Sequence, residues 1–140
     1  MPQELANRNL MLSITAAWRE GDMAPLLAAI DPAIVWTATA PQEFFRFGGT
    51  FHGATGVREY IALHASRYHL TRFEPKTVTA EGDQVWGLFE IEALHLSTSK
   101  YVKSDCAIHW TIRDGRIVEH QAIFDTAGVL LQQGVLTVAA

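Results

Sequence analysis

Cysteine is nearly absent from this chain: Cys106 is the one thiol in 140 residues. A single cysteine excludes an internal disulfide and fits a reducing cytoplasm, where the protein is expected. Charge is also sparse. Charged residues make up 19% of the sequence and the net charge is −4. The basic face that a nucleic acid or an anionic membrane surface would require is missing, so neither is expected as a partner. No apolar run is long enough to span a bilayer. The opening MPQELANRNLML has neither the basic nor the apolar region of a signal peptide. There is no HExxH and no Cys/His cluster, and the six histidines are scattered. No metal is therefore expected. The glycines of FGGTFHG lack the Lys-Ser/Thr of a phosphate loop and read as turns, and no cofactor is expected.

What is present is a globular composition, 49% apolar, in a chain of about one domain's length. No repeat, linker or low-complexity tract divides it, so residues 1–140 are read as a single domain. The first half has helical spacing. Leu10, Met11, Ile14, Ala17 and Trp18 recur on one face, and Gly21 is a plausible stop. Asp22 can cap a short helix, MAPLLAAI, ending before Pro32. AIVWTAT, residues 33–39, is β-like, and residues 41–53 (PQEFFRFGGTFHG) read as a loop rich in phenylalanine and glycine. A third helix is expected over residues 55–68, with Val57, Ile61, Ala65 and Tyr68 on its apolar face and His64 beside them.

The second half changes period. HLTRFEPKTVTA, QVWGLFEIEALHL, YVKSDCAIHWTI and RIVEHQAIF alternate as strands, broken at Glu81-Gly82-Asp83, Ser97-Thr98-Ser99 and Asp114-Gly115. Helices followed by a curved antiparallel meander give an α+β layout, with room for a pocket between the layers.

Asp114-Gly115 allows two hairpins. A two-residue type I′ turn pairs Arg113 with Arg116 and mixes apolar and polar residues on both faces. A three-residue loop with Gly115 in the left-handed position pairs Ile112 with Arg116 instead. Cys106, Ile108, Trp110 and Ile112 then share an apolar face with Val118, His120, Ala122 and Phe124. Asp105, His109, Thr111, Glu119 and Gln121 share the polar one. The second register is preferred, because a half-buried sheet needs one clean face. It turns His120 inward, and it sets His109 against Glu119 outside. Asp125 reads as the N-cap of the helix TAGVLLQQ. The same parity puts Val85, Gly87, Phe89, Ile91, Ala93 and His95 on the pocket side. Trp86, Leu88, Glu90, Glu92 and Leu94 fall outside, on a face suited to a subunit interface.

The phrases IDPAIVW, FGGTFHGATGVREYI, RFEPKTVTAEGDQVW and IRDGRIVEHQAIFDTAGVLLQQG, in this order, resemble the NTF2-like superfamily in its SnoaL-like and ketosteroid-isomerase-related branch. The resemblance implies an NTF2-like (cystatin-like) cone: three N-terminal helices on a curved antiparallel sheet and a short C-terminal helix. It also implies a homodimer through the convex sheet face. Enzymes of this branch isomerise, cyclise, dehydrate or hydrolyse, and other members only bind. Cyclase and epoxide-hydrolase-like members carry an aspartate where this chain has Ala122. The cyclase histidine or the isomerase's hydrogen-bonding aspartate falls near Ile108. The isomerase's proton-shuttling aspartate falls near Thr37 and its tyrosine near Ile14. None of these polar groups is present, so the resemblance carries over the fold and not the catalytic sets.

His120 is thus the candidate catalytic group, as base, acid or hydrogen-bond donor. The bland alternative is a core histidine satisfied by a carbonyl or water. The expected pocket walls are Ile14, Trp18, Trp36, Tyr60, His64, Tyr68, Phe89, Ile91, Cys106, Ile108, Trp110, Ala122 and Phe124. An aromatic N–H or O–H among them could polarise a ligand oxygen. Cys106 reads as a small apolar filler, with a thiol–imidazole contact to His120 as the alternative. The phenylalanines of PQEFFRF read equally as a mobile lid or as anchors to the core or to a second subunit. The expected ligand is a small, largely apolar molecule with one or two oxygens, isomerised, cyclised or dehydrated if catalysis occurs. A non-catalytic binding or accessory domain is the rival reading. The outer face with the tail VLTVAA suggests a third, a protein-interaction module.

Overall fold

In a computed structural model describing residues 2–139, the first long element is α1 (Pro2–Arg19), followed by α2 (Ala24–Ala29). The terminal alanine of the VLTVAA tail lies outside the described residues. The N-cap of α2 is Met23, and Asp22 contributes through Oδ1, which accepts from the Ala24 N–H at 3.1 Å. The chain then runs β1 (Ile30–Thr39), β2 (Gly49–His52), α3 (Gly53–Ala65), β3 (Tyr68–Glu81), β4 (Gln84–His95), β5 (Lys100–Arg113), β6 (Arg116–Phe124) and α4 (Thr126–Gln133). Asp125 caps α4, accepting from the Gly128 N–H at 2.9 Å.

The six strands form one sheet in the order β2-β1-β6-β5-β4-β3. Its long meander is antiparallel, as the alternation implies. One pairing departs from a purely antiparallel sheet: β1 runs parallel to β6 and sets Trp36 beside His120. A meander reading joins sequence neighbours only, so it could not reach this contact. Strand β2, read as part of a loop, is a short edge strand on β1. Its four residues are too few to display alternation. Helix α3 ends at Ala65, so Tyr68 opens β3 opposite His95 rather than lying on the helix.

The hairpin register also differs from the expected one. Arg113 pairs with Arg116 across Asp114-Gly115, a two-residue turn. Both turn residues have positive φ, 51° and 75°, as type I′ requires. The parity is rescued further along. Ile112 faces Ile117 while Thr111 faces Glu119, so Val118 is an extra residue, a bulge. Ile117 rather than Val118 therefore enters the core, being wholly buried. Beyond the bulge Trp110 pairs with His120, Ile108 with Ala122 and Cys106 with Phe124. The inner face holds the expected residues, two places out of the expected register. His109 faces Gln121, not Glu119.

The core lies between the inner sheet face and α1 and α3, with Met11, Ile14, Trp36, Val85, Phe89 and Trp110 fully enclosed. On β4, a Cβ at Gly87 would meet the ring of Phe89 on the same strand at 2.4 Å and Met11 Sδ of α1 at 2.9 Å, so a larger residue would force one of them to move.

Candidate functional site

The cavity has two parts. An inner chamber of about 80 Å³ opens on the concave side of the sheet. An outer vestibule of about 620 Å³ lies between the end of α1, helix α3 and the start of β3. Trp18, Tyr60, His64, Tyr68 and Leu70 border both, so they form the neck between them. The sheet supplies the chamber floor: Ala38 from β1, Ile91 and Ala93 from β4, Val102, Cys106 and Ile108 from β5, and His120, Ala122 and Phe124 from β6. Inward parity of alternating strands explains all nine. The small residues Ala38, Ala93 and Ala122 leave the space that larger side chains would fill.

Nine of the thirteen expected wall residues border the chamber, namely Trp18, Tyr60, His64, Tyr68, Ile91, Cys106, Ile108, Ala122 and Phe124, and so does the candidate His120. Ile14, Trp36, Phe89 and Trp110 point inward but do not border it. They are buried core groups, at most 1% exposed. Phe89 packs edge-on to Phe73 at 4.9 Å. Ala93, placed on the pocket side by parity, borders the chamber as well, whereas Ala38 and Val102 were missed although they share parity with Trp36 and Cys106 and could have been found that way. Leu70, Phe73 and Val129 were also missed. Thr37, at the position of the isomerase's proton-shuttling aspartate, turns outward and bonds Thr50 at 3.1 Å.

The PQEFFRF loop divides its phenylalanines. Phe44 is half exposed, whereas Phe45 and Phe47 are buried and border the chamber. Phe45 stands edge-on to Phe124 at 5.2 Å. Phe47 touches Tyr60, His64, Tyr68 and Phe124, with ring centroids between 4.9 and 6.2 Å. These two rings are anchored, and they occupy space next to the chamber.

His120 is the most constrained polar group of the site. It is 2% exposed. Its ring lies flat on Trp36, with centroids 3.5 Å apart and planes 7° from parallel. The indole Nε1–H of Trp110 donates to His120 Nδ1 at 2.8 Å. An indole N–H can only donate, so Nδ1 carries the lone pair and the ring's proton resides on Nε2. That Nε2–H is buried and has no partner among the described residues. Loss of hydration pushes the imidazole pKa down to about 3, and the charge of His109 adds to the fall. His120 is therefore a neutral ring that offers a donor, and its lone pair is already engaged. This geometry does not suit a general base.

The other titratable groups are also moved by burial. His64, half-buried at the neck, is pushed down to about 4 by desolvation. The Tyr60 hydroxyl is pushed up, chiefly by desolvation and secondarily by Cys106. The Cys106 thiol rises to about 12 for the same leading reason, so it is a thiol and not a thiolate at neutral pH. Its hydrogen bond goes to the Ala107 carbonyl and not to His120. Tyr68 rises to about 12 by desolvation, and its hydroxyl donates to Gln133 Oε1 on α4, which ties that helix over the chamber. No carboxylate borders the chamber among the described residues. Glu90 and Glu92 lie on the outer face in ion pairs with Arg72 and Lys103. No group of three or more His, Cys, Asp or Glu side chains suited to a metal occurs among the described residues. No helix there is long and apolar enough to cross a membrane.

Comparison with known proteins agrees with this architecture. The profile of the SnoaL-like domain matches residues 13–120. An NTF2-like protein of unknown function from Burkholderia pseudomallei superposes with a TM-score of 0.83 at 21% identity, over 91% of this chain and 96% of that one. That likeness concerns the fold alone. TerC, co-crystallised with polyporic acid, superposes with a TM-score of 0.83 at 25% identity, over 92% of this chain and 98% of its own. An NTF2-like protein from Burkholderia thailandensis gives a TM-score of 0.79 at 25% identity, over 90% and 95% of the two chains. No curated protein matches the sequence.

Proposed function

The chain belongs to the SnoaL-like domain family, of NTF2-like fold, and from that premise we propose that it binds a small, largely apolar, oxygen-bearing molecule in the chamber, with His120 Nε2–H donating to a ligand oxygen. The observation that carries this reading is the orphaned donor: a buried N–H without a partner, on a ring that borders an apolar cavity. Leaving such a donor unsatisfied costs about 1–3 kcal/mol, which a ligand acceptor would recover. The chamber alone is smaller than the ~300–1,000 Å³ of typical ligand pockets, so the ligand body would extend through the neck into the vestibule. TerC, co-crystallised with polyporic acid, supports a small-molecule role for this cavity.

The test is a panel of apolar compounds followed by protein NMR. Oxygen-bearing members are expected to shift the His120 ring resonances and the Ile108 and Ala122 methyls, and matched hydrocarbons are expected to bind more weakly. Equal binding of hydrocarbon and oxygenated partners would remove the role of His120.

Proton transfer in an isomerisation, cyclisation or dehydration is the second reading, and His64 is what favours it. The ring stands at the neck, neutral, with no hydrogen-bond partner among the described residues. It would be the base, and His120 the group that polarises the oxygen. Catalysed exchange of a bound ketone's α-protons with D2O, slowed about tenfold or more in His64→Phe, is the expected sign. Exchange no faster than in buffer leaves simple binding as the function.

A homodimer through the outer sheet face belongs to the same proposal. Trp86, Tyr101 and Ile123 are 47%, 57% and 43% exposed there. Light scattering is expected to give twice the 15.5 kDa chain mass, and Trp86→Glu is expected to return the monomer. A wild-type monomer at high concentration would rule out the interface.

A further inference from the structure

Trp110 is wholly enclosed and does not border the chamber, so it can act on a ligand only through His120, which does. The two residues face each other across β5 and β6. The Trp110 indole Nε1–H donates to His120 Nδ1 at 2.8 Å. Trp36 meets the same imidazole from β1, with planes 7° from parallel. The two tryptophans control different things. A flat neighbour fixes the plane of the imidazole. It does not distinguish that ring from the one made by a half-turn about Cβ–Cγ, which exchanges Nδ1 with Cδ2 and Nε2 with Cε1. Nor does it choose which nitrogen holds the proton. Two edges and two tautomers give four arrangements. The donor on Trp110 selects one of them. The half-turn would aim its N–H at a carbon, and the other tautomer would aim it at a second N–H. Either would leave a buried donor without a partner.

We infer that Trp110 is a specificity-determining positioning residue: its N–H holds His120 in the one arrangement that leaves Nε2–H for the ligand, so the chamber floor selects molecules that accept a hydrogen bond over molecules that only donate one. This rests on the pocket reading above and adds the residue that gives the pocket its polarity. The rest of the floor cannot make that choice. Ala38, Ala93, Val102, Ile108 and Ala122 carry no polar side-chain atom. The Cys106 thiol is turned to the Ala107 carbonyl. Without the indole donor the four arrangements compete. A ligand acceptor would then find the right one in about a quarter of the molecules, and its affinity would fall about fourfold. A ligand donor would gain, because the Nδ1–H tautomer offers it the Nε2 lone pair.

The test uses two matched pairs, 1-tetralone with tetralin for the acceptor and indole with indene for the donor. Wild-type protein is expected to bind tetralone about tenfold more tightly than tetralin. Replacing Trp110 by benzothienylalanine keeps the shape of the ring and deletes only the N–H. It is expected to lower the tetralone preference about fourfold, to raise the preference for indole over indene, and to leave tetralin affinity nearly unchanged. Trp110→Phe is expected to act in the same direction. In the wild type, a ¹⁵N–¹⁵N NMR coupling across the hydrogen bond, between Trp110 Nε1 and His120 Nδ1, is expected. That readout needs neither a variant nor a ligand, so it keeps the inference testable should the variants fail to fold. Absence of the coupling would overturn the inference and leave the pocket reading standing. So would an undiminished tetralone preference in the benzothienylalanine protein, or an equal loss of tetralone and tetralin affinity, which a merely structural role would produce. Equal wild-type affinity for tetralone and tetralin would overturn the inference together with the ligand contact proposed for His120.

Discussion

Replacing His120 by alanine is expected to cost about 3–5 kcal/mol of folding stability, the range seen when a large buried ring is truncated. Two losses combine. The cavity removes the flat partner of Trp36, and the Trp110 indole N–H loses its acceptor while remaining fully buried. Leaving that donor unpaired accounts for about 1–3 kcal/mol of the total. His120→Phe separates the two effects. It keeps the stack and strands only the Trp110 donor, so its expected loss is the smaller figure. Urea denaturation of the three proteins at pH 7 measures both. A loss below about 1 kcal/mol for His120→Ala would mean the ring is not seated between the two tryptophans.

Stability is expected to fall steeply in mild acid. In the unfolded chain an imidazole titrates near 6.5. In the fold, His120 is held down to about 3 by desolvation first and His109 second. A depressed folded pKa means that the unfolded state takes up the proton first as pH falls. Stability is therefore fully present above about pH 6.5 and is lost progressively down to about pH 3, the folded value. One such group changes stability by about 1.4 kcal/mol per pH unit in that window, on the order of 5 kcal/mol in all. His64, held near 4 by desolvation, adds in the same direction. Its share is smaller, because the vestibule lets water reach it. Urea midpoints measured from pH 7.5 to 3.5 test this. His120→Phe is expected to flatten the curve relative to its own value at pH 7, and an equally steep curve in that variant would place the acid lability elsewhere.

The parts of this fold that were legible in the sequence owe their legibility to alternation. Strands β3 to β6 announce themselves because one face is buried and the other is not, so residues such as Val85, Gly87 and Phe89 mark the inside in steps of two. Strand β2 escaped because four residues with a glycine at one end show no period. The hairpin was harder. Asp114-Gly115 forms the two-residue turn that its composition favours. The clash of faces which that turn would cause is removed by the bulge at Val118. Nothing in Ile117-Val118 signals a bulge, since either residue can be buried. The face assignment was therefore right while the pairing was not. That distinction matters at the site. The inward orientation of His120 follows from the alternation within its own strand, which groups it with Ala122 and Phe124, and could be read from sequence. Its contact with Trp110 depends on the true register, and its stack on Trp36 depends on a parallel pairing between strands far apart in the chain. Both contacts come from tertiary arrangement. Together they turn an expected acid–base histidine into a neutral donor. The four expected wall residues that proved to be core, Ile14, Trp36, Phe89 and Trp110, have the right parity. Parity cannot tell which inward side chains are wholly enclosed by packing and which border a cavity.

The most direct measurement is the protonation state of the His120 ring, by two-bond ¹H–¹⁵N NMR correlation from pH 8 to pH 4, with the resonance assigned using His120→Phe. A single neutral tautomer protonated at Nε2, unchanged across the whole range, is the expected result. It follows from the Trp110 hydrogen bond to Nδ1 and the buried, unpartnered Nε2. A ring that titrates near 6.5, or one protonated at Nδ1, would contradict it. The donor at the chamber floor would then not exist, and the ligand contact proposed for it would fall.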